Sequence, residues 1–147
     1  MNRRQFIATA GGGILGAGVS GSLAAIGGPA TEKRFLLSEQ GCGRATGYAE
    51  SNKIVTVGDR THVAWLDSPA EGFRVCVRTL NRKTGEWSPT YAVGEAHDNH
   101  GGPALTVDRE GYLHIVYFPH HHPFRHRRSK RPNDASEWGE VVQFGEK

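Results

Sequence analysis

Six of the eight histidines fall within one stretch, EAHDNHGGPALTVDREGYLHIVYFPHHHPF (Glu95 to Phe124), and His126 follows two positions later. They gather in two knots, HDNH (His97 to His100) and HHH (His120 to His122). Neutral imidazole titrates near working pH, so such knots suit general base chemistry, and they also suit metal ligation. His97-x-x-His100 with His120 or His122 would supply three imidazoles to zinc. No HExxH pattern accompanies them, and no metal or other cofactor is expected. The run RHRR alternates, so Arg125 and Arg127 share one side of a strand and offer charge to an anionic ligand. The competing reading is a solvated basic strand. Asp98 and Asn99 read first as loop-shaping residues that bond nearby backbone. His114 and His62 read as histidines packed within strands.

These residues act together only if the chain folds the knots onto one another. After residue 31 the sequence is a series of short alternating runs divided by turn signals. KIVTV and HVAWL flank GDRT, and FRVCVRT and the turn NRKTGEW follow. The order then repeats as PALTV, DREG, YLHIVYF, FRHRRS, RPNDASEW and EVVQF. Phe73 aligns with Phe124 and Trp87 with Trp138, both 51 residues apart, and Thr56-Val57 aligns with Thr106-Val107 at 50. A period near fifty with about four strands per unit is the signature of a β-propeller blade. An eight-stranded sandwich is the competing architecture. The expected fold is therefore all-β, with about two four-stranded antiparallel blades of an incomplete ring. Residues 31–147 read as the N-terminal portion of a longer propeller, inactive as this short chain. RFLL (Arg34 to Leu37) reads as an orphan strand.

In a meander of four strands, the link between blades shares an end with the link between the second and third strands. HDNHGG is the first kind of link and PHHHPF the second. If Val107 faces Tyr112 across the DREG turn, extending the pairing places His100 beside Pro119 and His120. Both knots then meet at one end of the blade. Gly101 and Gly102 suit a loop that needs positive φ or close backbone approach.

Residues 1–30 read separately. Arg3 and Arg4 precede an uncharged, glycine-rich stretch, a pattern that resembles a twin-arginine export signal. Small-residue cleavage sites follow Ala24 and Ala30. The mature chain would be periplasmic or secreted, with no membrane association once the signal is removed. Without Arg3 and Arg4, the 18 Lys+Arg fall to 16 against 15 Asp+Glu, so global charge gives no case for nucleic acid. Cys42 and Cys76 would be free to form one disulfide after export.

HDNHGGPALTVDREGYLH, PHHHPFRHRRS and RPNDASEW together resemble the BNR-repeat, sialidase-like propeller family that includes ulvan lyases, over about Gly41 to Phe144. A FRIP-type motif is missing and NRKTGEW is only a degenerate Asp box, which argues against sialidase chemistry. The resemblance implies β-elimination on a uronate-containing, anionic polysaccharide. That reaction needs a group to neutralise the carboxylate, a base for the C5 proton and an acid for the leaving oxygen. By position in the motif, His100 matches the family's catalytic histidine and His121 its second active-site histidine. His97, Asn99, His120, Arg125 and Arg127 are the expected substrate contacts. The family's tyrosine acid and carboxylate-binding arginines lie farther along, on later blades. The alternative function is a non-catalytic glycan-binding propeller using the same face.

Overall fold

A computed structural model describes residues 33–47, 51–118 and 120–146. The export-signal reading of residues 1–30 and the placement of Pro119 lie outside them. Everything below belongs to the compact unit Phe35–Lys147.

The described strands form two antiparallel sheets. The first sheet holds β1 (Ile54–Val57), β2 (Arg60–Asp67), β3 (Phe73–Asn81), β4 (Glu86–Trp87) and β5 (Tyr91–Ala96). The second holds β6 (Ala104–Val107), β7 (Leu113–Tyr117), β8 (Phe124–Arg131), β9 (Asp134–Trp138) and β10 (Val142–Phe144). Each is a four-stranded meander whose last strand is broken. β4 pairs with the end of β3 and β5 with its start. In the same way β9 pairs with the end of β8 and β10 with its start. These are two propeller blades, as the period of fifty requires.

Alternation decides which side of each blade is buried. In β7, Leu113, Ile115 and Tyr117 are buried while His114 and Val116 are only partly so. Leu113, Ile115 and Tyr117 join Leu105, Ala135 and Trp138 against Val55, Ala64, Leu66, Val75, Val77 and Val93 of the first blade. Fully burying one such aliphatic side chain is worth about 1.5–3 kcal/mol. Tyr117 reaches so close to β5 that a Cβ at position 94 would lie 2.2 Å from its hydroxyl, so only glycine fits there.

The other side of the first blade is covered by the segment leading into it. The end of that segment pairs with the free edge of β2, where Cys42 N donates to Leu66 O and Ser68 N to Gln40 O, at 3.2 and 2.8 Å. Arg78 reaches Leu37 O at 3.3 Å. Beneath this segment Trp65 Nε1 donates to the buried Asp67 carboxylate at 2.6 Å. Cys76 packs beside Asp67, and burial pushes its thiol up to about 12. Both cysteines are free. RFLL departs from expectation. Residues 34–37 form no strand, and Phe35 and Leu36 are 52% and 69% exposed, because this part of the segment crosses the blade instead of pairing along an edge.

A polar group sits at the seam between blades. His62 is fully buried, with Nδ1 2.8 Å from Thr79 Oγ1 and Nε2 2.8 Å from Asn133 Oδ1. An amide oxygen only accepts, so Nε2 carries the proton and Nδ1 accepts from Thr79. Asn133 adopts a left-handed φ of 53°, and its backbone carbonyl accepts from Arg60 at 2.7 Å. His114 holds the place of His62 in the second blade but is not a core residue. The second blade covers His62, whereas no further blade covers His114 among the described residues. His114 instead bonds Asp108 Oδ2 and His126 Nε2, each at 2.9 Å.

Burial holds the His62 pKa below its ordinary 6.5, against the opposing bond from Asn133. The unfolded chain therefore binds the extra proton first as pH falls. The stability tied to neutral His62 is complete above about 6.5 and is lost below it. The melting temperature should fall between pH 8 and 5, and less steeply in His62→Gln. His126, also lowered chiefly by burial, keeps some slope in the variant. Parallel curves for the two proteins would contradict the assignment.

Candidate functional site

Two loops at one end of the second blade carry the histidine knots. Residues 97–103 lead from β5 into β6, and residues 118–123 join β7 to β8. Their meeting depends on the β6–β7 register. Val107 pairs with Leu113 and Ala104 with Val116, one residue from the expected register. The turn explains the shift. Asp108 and Tyr112 close it, with Asp108 Oδ1 accepting from Tyr112 N at 2.8 Å and Gly111 taking the left-handed bend at φ 87°. Continued outward, this register sets position 100 against position 120.

The rings of His100 and His120 lie 4.1 Å apart, tilted by 40°. Asp98 binds the two loops together. Its Oδ1 accepts from His100 N at 2.7 Å and its Oδ2 from His120 Nδ1 at 2.7 Å. His100 Nδ1 lies 3.3 Å from the same Oδ2 but makes no aligned hydrogen bond. Burial alone would raise the Asp98 carboxyl. The bonds from the His120 imidazole and the His100 backbone, with the His100 ring close by, outweigh it and hold the group well below the usual carboxylate range. Gly101 is required by close approach, since a Cβ there would meet Ala96 Cβ at 2.6 Å.

The second loop is strained and tightly held. Phe118 and His121 adopt left-handed φ values of 64° and 57°, each costing about 1–3 kcal/mol for a non-glycine residue. His122 stacks on Phe118 at 5.0 Å, and His97 meets both rings, at 4.6 Å from His122 and 5.7 Å from Phe118. The Arg125 guanidinium sits 4.5 Å over Phe118. His121 is exposed and lies 3.9 Å from the His120 ring. Asn99 is half-buried on the first loop. His97, Asn99, His100, His120, His121 and Arg125 thus belong to one end of one blade.

Arg127 departs from its expected role. Its Nε donates to Gly139 O at 2.7 Å, one terminal nitrogen to Trp138 O at 3.2 Å and the other to Val93 O. The Trp138 and Gly139 carbonyls are left open where the fourth strand breaks, and Val93 is the residue skipped where β5 bulges against β3, so a guanidinium supplies the missing donors. Arg78 does the same in the first blade, donating Nε to Ser88 O at 2.9 Å. Asp98 is the residue that sequence reading underrated. The signal was a carboxylate flanked closely by His97 and His100 in a loop facing more imidazoles.

Asp98, His100 and His120 also form a set whose ligand atoms lie within 4.8 Å of one another. Zinc at about 2.0 Å from each of three tetrahedral donors would space them about 3.3 Å apart. The 2.7 Å approach of Asp98 Oδ2 to His120 Nδ1 is shorter, which is the spacing of a shared proton.

Residues 60–147 match the family described as BNR repeat-containing family member. The chain belongs to that family. Among curated relatives, the BNR-repeat chain is 30% identical to "Ulvan Lyase-PL25" of Pseudoalteromonas sp. (strain PLSV), over 47% of this chain and 20% of the relative. It is 31% identical to "Ulvan lyase" of Alteromonas sp. (strain LOR), over 58% and 23%, and 28% identical to "Ulvan lyase" of Nonlabens ulvanivorans, over 69% and 26%. A solved polysaccharide lyase, a PL25 ulvan lyase bound to a GlcA-containing saccharide, superposes with a TM-score of 0.59 at 26% identity. That match covers 68% of this chain and 28% of that one. The chain spans about a fifth to a quarter of the length of these curated relatives.

Arg127→Met should cost about 2–4 kcal/mol in urea unfolding, from lost charged hydrogen bonds and stranded carbonyls. Unchanged stability with weakened saccharide binding would return Arg127 to the substrate.

Proposed function

We propose that this chain contributes part of the active site of an exported polysaccharide lyase that cleaves an anionic, uronate-containing polysaccharide by β-elimination. The observation that carries the reading is the meeting of His100 and His120, 4.1 Å apart, at one end of a BNR-repeat blade. The ulvan lyase names of its relatives and the GlcA in the solved ulvan lyase complex support the choice of substrate class.

The chemistry follows from what the C5 proton of a uronate requires. Its acidity rises when the neighbouring carboxylate is neutralised, so the site needs hydrogen-bond donors or positive charge there. His121, exposed beside His120, and Arg125, poised over Phe118, are suited to that end. His100 takes the proton through a neutral ring nitrogen. Electrons of the broken C5–H bond form the C4–C5 double bond, and the glycosidic oxygen leaves from C4 with a proton from the acid. The family resemblance implies an acid carried on later blades. His97, Asn99 and His120 complete the surface on which the sugar is held.

In the protein that carries these blades, His100→Ala should lower turnover by roughly 10²–10⁴-fold, the usual contribution of a general base. Weak saccharide binding should persist. The assay is the rise in ultraviolet absorbance from the unsaturated uronate. Binding of uronate polysaccharide without that chromophore, in both wild type and variant, would leave the glycan-binding propeller as the function. Export has its own test. Replacing Arg3 and Arg4 with Lys should block translocation of a folded reporter fused behind residues 1–30. Undiminished export would exclude the twin-arginine route.

A further inference from the structure

An imidazole serves as a base only with the correct ring nitrogen bare. The other nitrogen fixes which one that is, through the partner it binds. Among the site histidines, His120 has a carboxylate aligned on one ring nitrogen, Asp98 Oδ2 at 2.7 Å from Nδ1. An ionised carboxylate only accepts, so Nδ1 must carry the hydrogen. The lone pair of neutral His120 then lies on Nε2, on the side of the ring away from Asp98. The other oxygen of Asp98 accepts the backbone N–H of His100 at 2.7 Å, so one carboxylate fixes a tautomer on one loop and a backbone on the other.

We propose that Asp98 is a positioning residue of the active site, which sets the tautomer of His120 and registers that ring against His100. This rests on the lyase reading for its consequence in turnover, but its structural content is independent of it. His120 is thereby a second imidazole with a bare, outward nitrogen beside the base. It can accept a hydrogen bond from a sugar hydroxyl or receive the proton that His100 abstracts. The partial exposure of the group, 31% for the Asp98 side chain and 36% for His120, leaves room for a ligand against the ring.

A purely loop-shaping Asp98 makes a different prediction, and Asp98→Asn separates the two. Asparagine keeps an oxygen to accept from His100 N, so the turn survives. Its amide nitrogen then replaces Oδ2 and donates, which forces His120 Nδ1 to accept and moves the hydrogen to Nε2. Asp98→Ala removes both bonds. The same logic explains why an amide in place of a triad aspartate ruins a serine protease while preserving its geometry.

The experiment is nitrogen-15 NMR of the imidazoles in the intact chain above neutral pH, with His120→Gln to assign the signals. His120 should be the Nδ1–H tautomer in wild type and the Nε2–H tautomer in Asp98→Asn, with the backbone amide spectrum otherwise retained. An Nε2–H tautomer in wild type, or one tautomer distribution shared by wild type and Asp98→Asn, would overturn the proposal. If Asp98→Asn fails to fold, the wild-type tautomer decides alone. In a protein that carries later blades as well, Asp98→Asn should lower formation of unsaturated uronate by on the order of 10²-fold or more. A tautomer switch in a protein whose wild type forms no such product would refute the lyase reading and leave the positioning role standing.

Discussion

The pairing of β6 with β7 is the constraint on which the site depends. A strand that slips by one residue turns every side chain to the opposite face. Here the slip would drive His114 and Val116 toward the first blade and pull Leu113, Ile115 and Tyr117 out of it. Tyr117 makes that especially costly, because its ring fills the space that Gly94 leaves open. Burial on one face therefore fixes the register, and the register fixes which loop residues stand opposite one another. The histidine end of the blade needs no separate device to bring position 100 to position 120. It inherits the placement from the packing of the blade.

The seam between blades has a second ingredient. Apolar burial alone would allow the two sheets to slide, since such contacts have little direction. His62 bonded to Asn133, and Arg127 bonded to Val93 O, supply direction. Arg127 also answers a local problem. Each blade breaks its fourth strand just after a tryptophan, Trp87 or Trp138, and the break leaves carbonyls without ladder partners. Arg78 and Arg127 each place Nε on the carbonyl of the residue after that tryptophan, Ser88 and Gly139. A side chain that looks like a substrate contact in sequence is part of the repeat itself.

What could be read in the sequence was whatever the period of the repeat and the alternation of the strands determine. The 51-residue offsets of Phe73 with Phe124 and Trp87 with Trp138 mark equivalent places, the first residue of the third strand and the break in the fourth. The Thr56-Val57 match at 50 is out of phase. Val57 lies on the side of the first blade turned toward the second, and Val107 on the side of the second turned toward the first. Two-residue matches cannot reveal this, because faces depend on hairpin registers that turns decide. The closure of the DREG turn by Asp108 and Tyr112, and the burial of His62 by its neighbour's Asn133, are likewise facts of contact and not of pattern.

The site was legible to the extent that it is topological. A meander must bring the loop before its first strand and the loop after its second to one end, so the two knots were bound to meet. The roles within the knots were not legible, because they depend on single hydrogen bonds. Nothing in HDNH distinguishes an aspartate that caps its own loop from one that reaches across to a second loop. Asp98 does both, with one oxygen for each task. A short acidic side chain does not need to choose between shaping the backbone and orienting an imidazole when two loops converge on it. The strained φ values of Phe118 and His121 fit the same picture. Convergence of the loops, imposed by the sheet beneath them, offsets the backbone strain through ring stacking and the shared carboxylate. What results is a cluster of imidazoles in which the carboxylate orients His120 and ring contacts hold His97 and His122.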